Sequence, residues 1–284
     1  MTEDALARDV ALKSGLSMPA VGLGTWRMGE DPDRRGEEIA AIRRAVERRF
    51  RHIDTAEMYA DGEAERIVGE AIAGLDRDRL FLCSKVYPWN ATEAGMAASC
   101  AASLDRRGTD RLDLYLLHWP GGVDIAETLA GARGLLDTGL IRAFGVSNVD
   151  ARGLARLVET GDDAAVDANQ VMYNPARRGV EFDLLPAMAK AGIAGVAYTP
   201  IEPAAMARNR RFAALAEEVG LTPAQLALAW HTTHDRAVPI PKAATIEHVD
   251  ALAEAAAVRL DEARMAAIDE AFPPPTRATP LDIV

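Results

Sequence analysis

Short apolar runs alternate regularly with longer helical patterns along the whole chain. Eight runs have the length and composition of buried strands. They are residues 20–25, 50–54, 80–85, 112–118, 141–147, 165–170, 193–198 and 237–240. Strands that alternate with helices form parallel sheets, and runs that are apolar throughout indicate burial on both faces. Eight such units in 284 residues predict an α/β fold of the (β/α)₈ TIM barrel class.

Two segments fall outside this repeat. Residues 8–20 predict an N-terminal β-hairpin, and residues 208–220 predict an extra helix before the seventh barrel helix. No change of composition marks a linker, so we expect a single domain over residues 1–284 that ends in a short proline-rich tail, 272–284.

Composition narrows the class of function. A net charge of −11 argues against nucleic acid as a partner, because phosphate contacts need clustered lysine and arginine. No run approaches the roughly 20 apolar residues of a membrane span, and the N-terminus MTEDALARDV lacks the apolar core of a signal peptide. Cys83 and Cys100 have no metal-like spacing and are typical of reduced cytosolic thiols. We expect a cytoplasmic, monomeric protein with a small-molecule partner, no membrane contact and no metal.

Every predicted strand ends in, or is followed by, a polar or aromatic residue. In a TIM barrel the carboxyl ends of the strands and the loops after them build the active site. The residues at these ends are Thr25, Trp26, Asp54, Lys85, His118, Ser147, Asn148, Gln170, Tyr198 and Lys242. Each alone has an ordinary explanation, since an aspartate can cap a helix, a histidine can fill a core and a lysine can lie at a rim. Asp54, Lys85 and His118 close three consecutive strands, however, and adjacent strands bring their ends to one mouth.

A proton donor can be assembled at that mouth. Burial of Lys85 is unfavourable unless a carboxylate pairs with it, and Asp54 on the neighbouring strand is available. Tyr59 lies in the loop after Asp54, and we expect the adjacent ammonium to lower the pKa of its phenol and ease proton donation. His118 can donate a hydrogen bond to a carbonyl oxygen. None of these four residues is a hydride donor, so a nicotinamide cofactor is the missing part.

The second half of the predicted barrel can hold that cofactor. Its strand ends supply amide and hydroxyl groups that suit a carboxamide, namely Ser147, Asn148 and Gln170. Tyr198 offers a ring face for stacking on the nicotinamide, and Lys242 can contact a phosphate. A Rossmann site is not indicated, because GLGTWRMG has Arg27 where the third glycine of that motif falls.

Nearly the whole chain resembles the aldo-keto reductase family. The matching stretches lie in family order and at family spacing: GLGTW, HIDTAEMYADGEAERIVGEAI, FLCSKVYPWN, DLYLLHWP, IRAFGVSN, ANQVMYNP, AYTPI, TPAQLALAWH and VPIPKAAT. The pattern is most similar to the bacterial branch that reduces methylglyoxal and other small aldehydes. The resemblance implies NADPH-dependent reduction of aldehydes and ketones to alcohols, with an extended NADPH bound without a Rossmann domain. It also implies a catalytic tetrad of Asp54, Tyr59, Lys85 and His118, with Tyr59 as general acid.

The resemblance also assigns the remaining contacts. The implied cofactor contacts are Gly24, Thr25, Trp26, Asp54, Ser147, Asn148, Gln170, Tyr198, Thr199, Pro200, Ile201, Lys242, Ala243 and His248. The implied substrate contacts are Trp26, Tyr87, Trp89, His118 and Trp119. The tail lacks the long loop that covers bulky substrates in steroid-reducing relatives, and this favours small aldehydes or α-ketoaldehydes.

Departures from the family pattern cluster after Lys242. Four positions that carry Ser or Thr, Arg, Glu and Asn in many NADPH-preferring members differ in this chain. They hold Ala243, His248, Ala251 and Leu252. Histidine cannot reproduce the fixed fork with which arginine holds a 2′-phosphate, so we predict a weaker hold on the adenosine. NADPH stays preferred through Lys242, with NADH as the alternative. Glu202 places a carboxylate beside the expected pyrophosphate path unless it points into solvent.

Two alternative functions remain open. The first is a non-catalytic subunit of the same fold that binds a nicotinamide and senses its redox state for a partner. The intact tetrad and the lack of a partner-binding extension argue against it. The second is glycoside hydrolysis, which needs two carboxylates facing each other across the mouth. Strands four and seven end in His118 and Tyr198 instead, which leaves only Glu202 for that role.

Overall fold

The computed structural model describes residues 4–283 and shows a barrel of parallel strands. An antiparallel hairpin of β1 (Asp9–Ala11) and β2 (Ser17–Pro19) precedes the barrel. The eight barrel strands follow in chain order, each hydrogen-bonded to the next: β3 (Gly22–Gly24), β4 (His52–Asp54), β5 (Phe81–Val86), β6 (Leu114–Leu117), β7 (Phe144–Ser147), β8 (Ala168–Met172), β9 (Ala194–Tyr198) and β10 (Val238–Pro239). The predicted (β/α)₈ barrel with an N-terminal hairpin is confirmed.

The barrel closes where its first strand meets the segment after its last. The backbone N–H of Gly24 donates to the carbonyl of Pro241 at 2.9 Å, and Gly24 forms a parallel bridge with Lys242. A Cβ atom on Gly24 would lie 2.8 Å from the carbonyl oxygen of Ile240, so this seam needs a glycine. The closure places Lys242 next to the loop that begins at Thr25.

Helices surround the barrel and connect its strands. They are α1 (Arg35–Glu47), α2 (Glu63–Ile72), α3 (Glu93–Arg107), α4 (Ile125–Asp137), α5 (Ala151–Thr160), α6 (Leu184–Lys190), α7 (Pro203–Arg208), α8 (Arg210–Glu218), α9 (Pro223–His234), α10 (Ile246–Ala256) and α11 (Glu262–Ala271). The extra helix predicted at 208–220 is confirmed by α8, whereas α7 and α11 are additional to the prediction. Within residues 4–283, no helix is long and apolar enough to cross a membrane.

Apolar side chains fill the end of the barrel at which the strands begin. Phe81, Leu114 and Val196 are buried in one cluster together with Leu12 and Met18 of the hairpin. Each fully buried side chain of this size contributes about 1.5 to 3 kcal/mol. The hairpin therefore covers this end, and the polar strand ends lie at the opposite end. We call that end, with the loops that follow the strands, the mouth.

Candidate active site

Three residues of the predicted tetrad lie at neighbouring strand ends. Asp54 ends β4, Lys85 lies near the end of β5 and His118 follows β6. The fourth residue, Tyr59, begins a 3-10 turn in the loop after β4. The Nζ atom of Lys85 donates to Asp54 Oδ1 at 2.5 Å, to the carbonyl of Thr55 at 2.8 Å and to Tyr59 Oη at 3.1 Å. One ammonium group thus joins the carboxylate to the phenol.

Lys85 is fully buried and is protonated around neutral pH. Burial alone would lower the pKa of its ammonium, but the neighbouring negative charge of Asp54 opposes that effect, and the pKa lies above its ordinary value. A buried ion is tolerated when an opposite charge and hydrogen-bond acceptors surround it, as they do here. The phenol therefore always lies next to a positive charge.

The pKa of Tyr59 does not follow the sequence prediction. Burial raises the pKa of the phenol above its ordinary value, and the charge of Lys85 reduces this rise without reversing it. The ammonium acts in the predicted direction, but the net pKa is raised rather than lowered, because the prediction left out the loss of hydration in the loop. Tyr59 stays protonated around neutral pH and can act as a donor.

His118 is a neutral imidazole at the mouth. Its ring lies edge-on to that of Tyr59, with 5.8 Å between the ring centres. Burial, together with the charge of Lys85, lowers the pKa of His118 to about 3. A neutral imidazole carries one N–H group, which can donate to an oxygen atom placed beside the Tyr59 hydroxyl.

Residues from the second half of the barrel contact the same group. Gln170 in β8 donates through Nε2 to Asp54 Oδ2 at 2.8 Å, and its backbone carbonyl accepts from Ser147 Oγ at 2.9 Å. Asn148 Oδ1 accepts from the Tyr198 hydroxyl at 2.9 Å. The two halves of the predicted site therefore form one connected hydrogen-bond network.

A cavity of about 450 Å³ opens at the mouth beside this network. Most of the predicted site residues form its wall: Gly24, Thr25, Trp26, Asp54, Tyr59, His118, Trp119, Ser147, Asn148, Gln170, Tyr198, Thr199, Pro200, Ile201 and Lys242. Glu202 belongs to the wall as well. Three wall residues were not predicted, namely Met58, Pro203 and Ile240. Met58 precedes Tyr59 in the loop after β4, and Ile240 follows the end of β10. Their closeness to predicted site residues was the only indication of them in the sequence.

Four predicted contact residues lie outside this wall. Tyr87 and Trp89 stack on each other with 4.3 Å between ring centres, and Trp89 meets the edge of Trp119 at 5.8 Å. They form an aromatic rim beside a wall residue. Ala243 is buried in the core, and His248 lies in the first turn of α10.

Lys242 and Leu252, from the segment that departs from the family pattern, have different environments. The side chain of Lys242 is exposed at the edge of the cavity, where partial loss of hydration lowers the pKa of its ammonium. Glu38 opposes that shift, and Arg34 adds to it. Leu252 is buried in the apolar core, so its side chain serves packing rather than contact with a ligand.

Glu202 is paired and does not simply point into solvent. Arg177 donates to its carboxylate in a fork, with Nε to Oε2 at 3.2 Å and Nη2 to Oε1 at 3.3 Å. Asn174 Nδ2 adds a longer contact to Oε2 at 3.4 Å. The sequence could not indicate this partner, because Arg177 belongs to the preceding loop and no periodic pattern links the two.

Three groups with metal-ligand chemistry lie close together below the mouth. His52, Asp54 and Cys83 bring a ring nitrogen, a carboxylate oxygen and a sulfur atom within 4.8 Å of one another, and all three residues are buried. Asp54 already accepts hydrogen bonds from Lys85 and Gln170. A cation here would have to break that pair and would be repelled by the Lys85 ammonium.

Comparison with known proteins identifies the family. The model of the Aldo/keto reductase family matches residues 20–272. Methylglyoxal reductase YeaE of Escherichia coli (strain K12) is 44% identical over 280 residues, which cover 97% of this chain and 98% of that protein. Glyoxal reductase of Bacillus subtilis (strain 168) is 33% identical over 236 residues, which cover 82% of this chain and 81% of that protein.

A solved structure has the same fold over the full length. The aldo/keto reductase from Klebsiella pneumoniae in complex with NADP and acetate superposes with a TM-score of 0.93 at 43% identity, covering 98% of this chain and 99% of that chain. The chain therefore belongs to the aldo/keto reductase family, whose members are oxidoreductases that act on carbonyl compounds.

Proposed function

We propose that this protein uses NADPH to reduce small aldehydes or α-ketoaldehydes to alcohols, and that Tyr59 supplies the proton. The observation that carries the proposal is the contact of the Lys85 ammonium with both Asp54 and the Tyr59 hydroxyl at the cavity wall. This arrangement pairs a proton donor with a fixed charge that stabilises the donor's anion. It favours chemistry in which negative charge develops on an oxygen atom next to Tyr59.

Two donors would polarise a carbonyl oxygen bound beside Tyr59 and His118. NADPH, when bound, supplies the hydride to the carbonyl carbon. Tyr59 transfers its proton to the oxygen as negative charge develops there, and Lys85 stabilises the phenolate that remains. Asp54 keeps the ammonium in position. His118, with its pKa lowered to about 3, contributes an N–H without adding a second positive charge.

The cavity wall offers groups that fit a nicotinamide dinucleotide. Three amide or hydroxyl side chains would meet the carboxamide: Ser147, Asn148 and Gln170. The ring of Tyr198 would stack on the nicotinamide, and Lys242 at the rim would meet a phosphate. Because Ala243 and His248 lie outside the wall, Lys242 carries the preference for NADPH in this proposal. Titration with both reduced cofactors should give the lower Kd for NADPH, and a lower Kd for NADH would contradict this part.

The small-substrate part rests on the size of the cavity and on the relatives. Trp26 and Trp119 line a space of about 450 Å³ that must hold both the nicotinamide end and the substrate. Two similar proteins are a methylglyoxal reductase and a glyoxal reductase. Small aldehydes and α-ketoaldehydes agree with both observations.

Replacement of Tyr59 by phenylalanine tests the proposal. NADPH consumption with methylglyoxal should fall at least about 100-fold, because the general acid is removed. The Kd for NADPH, measured by quenching of tryptophan fluorescence, should stay close to that of the wild type. Tyr115→Phe is the matched control, since it removes a buried phenol in β6 outside the cavity wall and should leave both values unchanged.

Two outcomes would contradict the proposal. Full activity of the Tyr59→Phe variant would remove Tyr59 from the role of proton donor. A wild-type protein that binds NADPH but reduces no aldehyde in a broad panel would favour a nicotinamide-binding, redox-sensing subunit of the same fold.

A further inference from the structure

The loop after β9 brings a second carboxylate to the cavity. Among the described residues, the wall contains two acidic side chains, Asp54 and Glu202. Asp54 is paired with Lys85. Glu202 lies in the loop that follows Tyr198 at the end of β9. The neighbouring strand is β10, which is followed by Lys242, and all three residues line the cavity. A dinucleotide that reaches from Tyr198 to Lys242 would pass this carboxylate, and an uncompensated negative charge there would repel its phosphates.

Arg177 compensates that charge from behind the wall. Its two nitrogen atoms approach the two oxygen atoms of Glu202 at 3.2 and 3.3 Å, a forked geometry that fixes the carboxylate as well as neutralising it. The guanidinium itself is not part of the wall. Its effect on a ligand would therefore be exerted through Glu202.

The turn that presents Arg177 is attached to the same loop. The N–H of Arg177 donates to the carbonyl of Asn174 at 2.9 Å, which closes a tight turn after β8. The buried side chain of Asn174 donates to the carbonyl of Thr199 at 2.9 Å. The loops after β8 and β9 are thus joined twice, once through Asn174 and once through the ion pair.

The C-terminal tail adds a second carboxylate to this arginine. Asp282 Oδ1 lies 3.6 Å from Arg177 Nη1. One guanidinium therefore serves two carboxylates, and the cluster of Arg177, Glu202 and Asp282 keeps one negative charge in excess. Removal of the arginine would leave Glu202, which lines the cavity, and Asp282, which does not, both without this partner.

We propose that Arg177 is a positioning residue for the cofactor, which holds Glu202 against the loop after β8 and cancels its charge so that the phosphates of NADPH can pass. This inference rests on the proposed function, because it requires a dinucleotide in the cavity. It goes beyond that function by assigning a role to a residue that does not touch the ligand.

A double-mutant cycle tests the inference. Arg177→Met should raise the Kd for NADPH about fivefold, the effect of one uncompensated charge near phosphates in a partly aqueous groove. The KM for NADPH should rise with it while kcat with methylglyoxal stays unchanged. Glu202→Gln should bind NADPH at least as well as the wild type. In the double variant the amide at position 202 carries no charge, and only Asp282, which does not line the cavity, loses its partner, so the effect of Arg177→Met should be smaller than in the wild-type background.

Arg142→Met is the matched control. Arg142 has a similar exposure to Arg177, 48% against 43%, and an ion pair of the same length, 3.2 Å, to Asp113 at the opposite end of the barrel. It should leave the Kd unchanged. A second readout is salt, because the fivefold effect should shrink as added salt screens the charges.

Three results would overturn the inference. They are a Kd of Arg177→Met equal to that of Arg142→Met, an effect of undiminished size in the Glu202→Gln background, and an effect that does not respond to salt. The binding titration needs no turnover, so it separates the two proposals. A protein that binds NADPH in this pattern but reduces no aldehyde would remove the proposed function and leave the role of Arg177 intact.

Discussion

The two ends of the barrel use buried carboxylates in different ways. At the mouth, Asp54 holds an ammonium that also contacts a phenol in the wall of a cavity. At the opposite end, the buried carboxylate of Asp113 accepts from Arg77 at 2.7 Å, from Arg142 at 3.2 Å and from the N–H of Leu82 at 2.8 Å. All these partners of Asp113 are structural. A buried ion pair therefore becomes a candidate for catalysis when one of its contacts can act on a ligand.

Backbone strain follows the same division. Seven non-glycine residues between positions 4 and 283 have a positive φ, and five of them lie in loops at the mouth: Arg27, Ala60, Asp61, Asn148 and Thr199. The other two, Arg49 and Asp235, follow the ends of helices at the opposite end. A left-handed conformation costs roughly 1 to 2 kcal/mol for such a residue and persists where surrounding contacts hold it. Most of the strained residues thus lie at the end that carries the cavity.

Cavity size alone would favour the opposite end. A larger, open depression of about 800 Å³ lies there, between the C-terminal ends of α2 and α3. Two of its arginines, Arg77 and Arg106, are already bound to the buried carboxylates of Asp113 and Glu65. These two arginines are held in structural ion pairs. A large cavity volume is therefore a poor guide to function when no reactive group in its wall is available to a ligand.

The largest effect on kcat is expected when both charges of the Asp54–Lys85 pair are removed together. In Asp54→Asn/Lys85→Met, kcat with methylglyoxal should fall about 1,000-fold, because the phenol loses the charge that stabilises its anion. The free energy of unfolding should stay the same or rise by about 1 kcal/mol, because two ions no longer need to be buried. Urea denaturation and steady-state kinetics measure both. A variant that is less stable but keeps its kcat would mean that the Asp54–Lys85 pair serves stability rather than catalysis.

Asp113→Asn should give the opposite result. The free energy of unfolding should fall by about 2 to 3 kcal/mol, since two arginines lose their shared partner but can still reach solvent. Arg77 and Arg142 are 18% and 48% exposed, which limits the loss. The kcat and KM should remain those of the wild type. A parallel loss of kcat would mean that the two ends are coupled and that Asp113 also affects catalysis.

The smallest expected change in the free energy of unfolding per residue comes from the buried histidines and depends on pH. Burial lowers the pKa of His52 to about 4 and the pKa of His118 and His231 to about 3. The unfolded chain takes up protons below about pH 6.5 while these folded residues stay neutral. Stability is therefore complete above that pH and declines toward pH 4, by about 1 kcal/mol for each histidine between pH 7.5 and 5.5.

Urea denaturation at these two pH values measures that decline. His52→Gln should remove one histidine's share of it, whatever the variant's stability at pH 7.5. An unfolding free energy that is constant or rises as the pH falls would contradict the lowered pKa values.

The strand ends that meet at the mouth could be predicted from the sequence, because burial leaves few explanations for Asp54, Lys85 and His118 at the ends of apolar runs. The extra helices could be predicted only in part. The helix α7 has six residues, fewer than two turns, and α11 lies outside the strand–helix repeat. Neither has the alternation that identified the barrel helices.

Two properties of the site depend on packing and could not be predicted. The pKa of Tyr59 is set by how much water its loop excludes, and the neighbouring charge alone gives the wrong sign. The partner of Glu202 lies in another loop, and only the folded chain brings Arg177 within 3.2 Å. Sequence patterns indicate which groups meet in a barrel, but not how strongly water is excluded or which surface charges pair.

The seam of the barrel joins the first barrel strand to the segment after the last one through Gly24 and Pro241. A dinucleotide in contact with both Trp26 and Lys242 would bridge this junction and act as a clasp between the first and the last strand. Deuterium uptake at the amide of Gly24 should then slow when the cofactor is present. A ligand bound at the mouth would in this way suppress opening of the barrel at its seam.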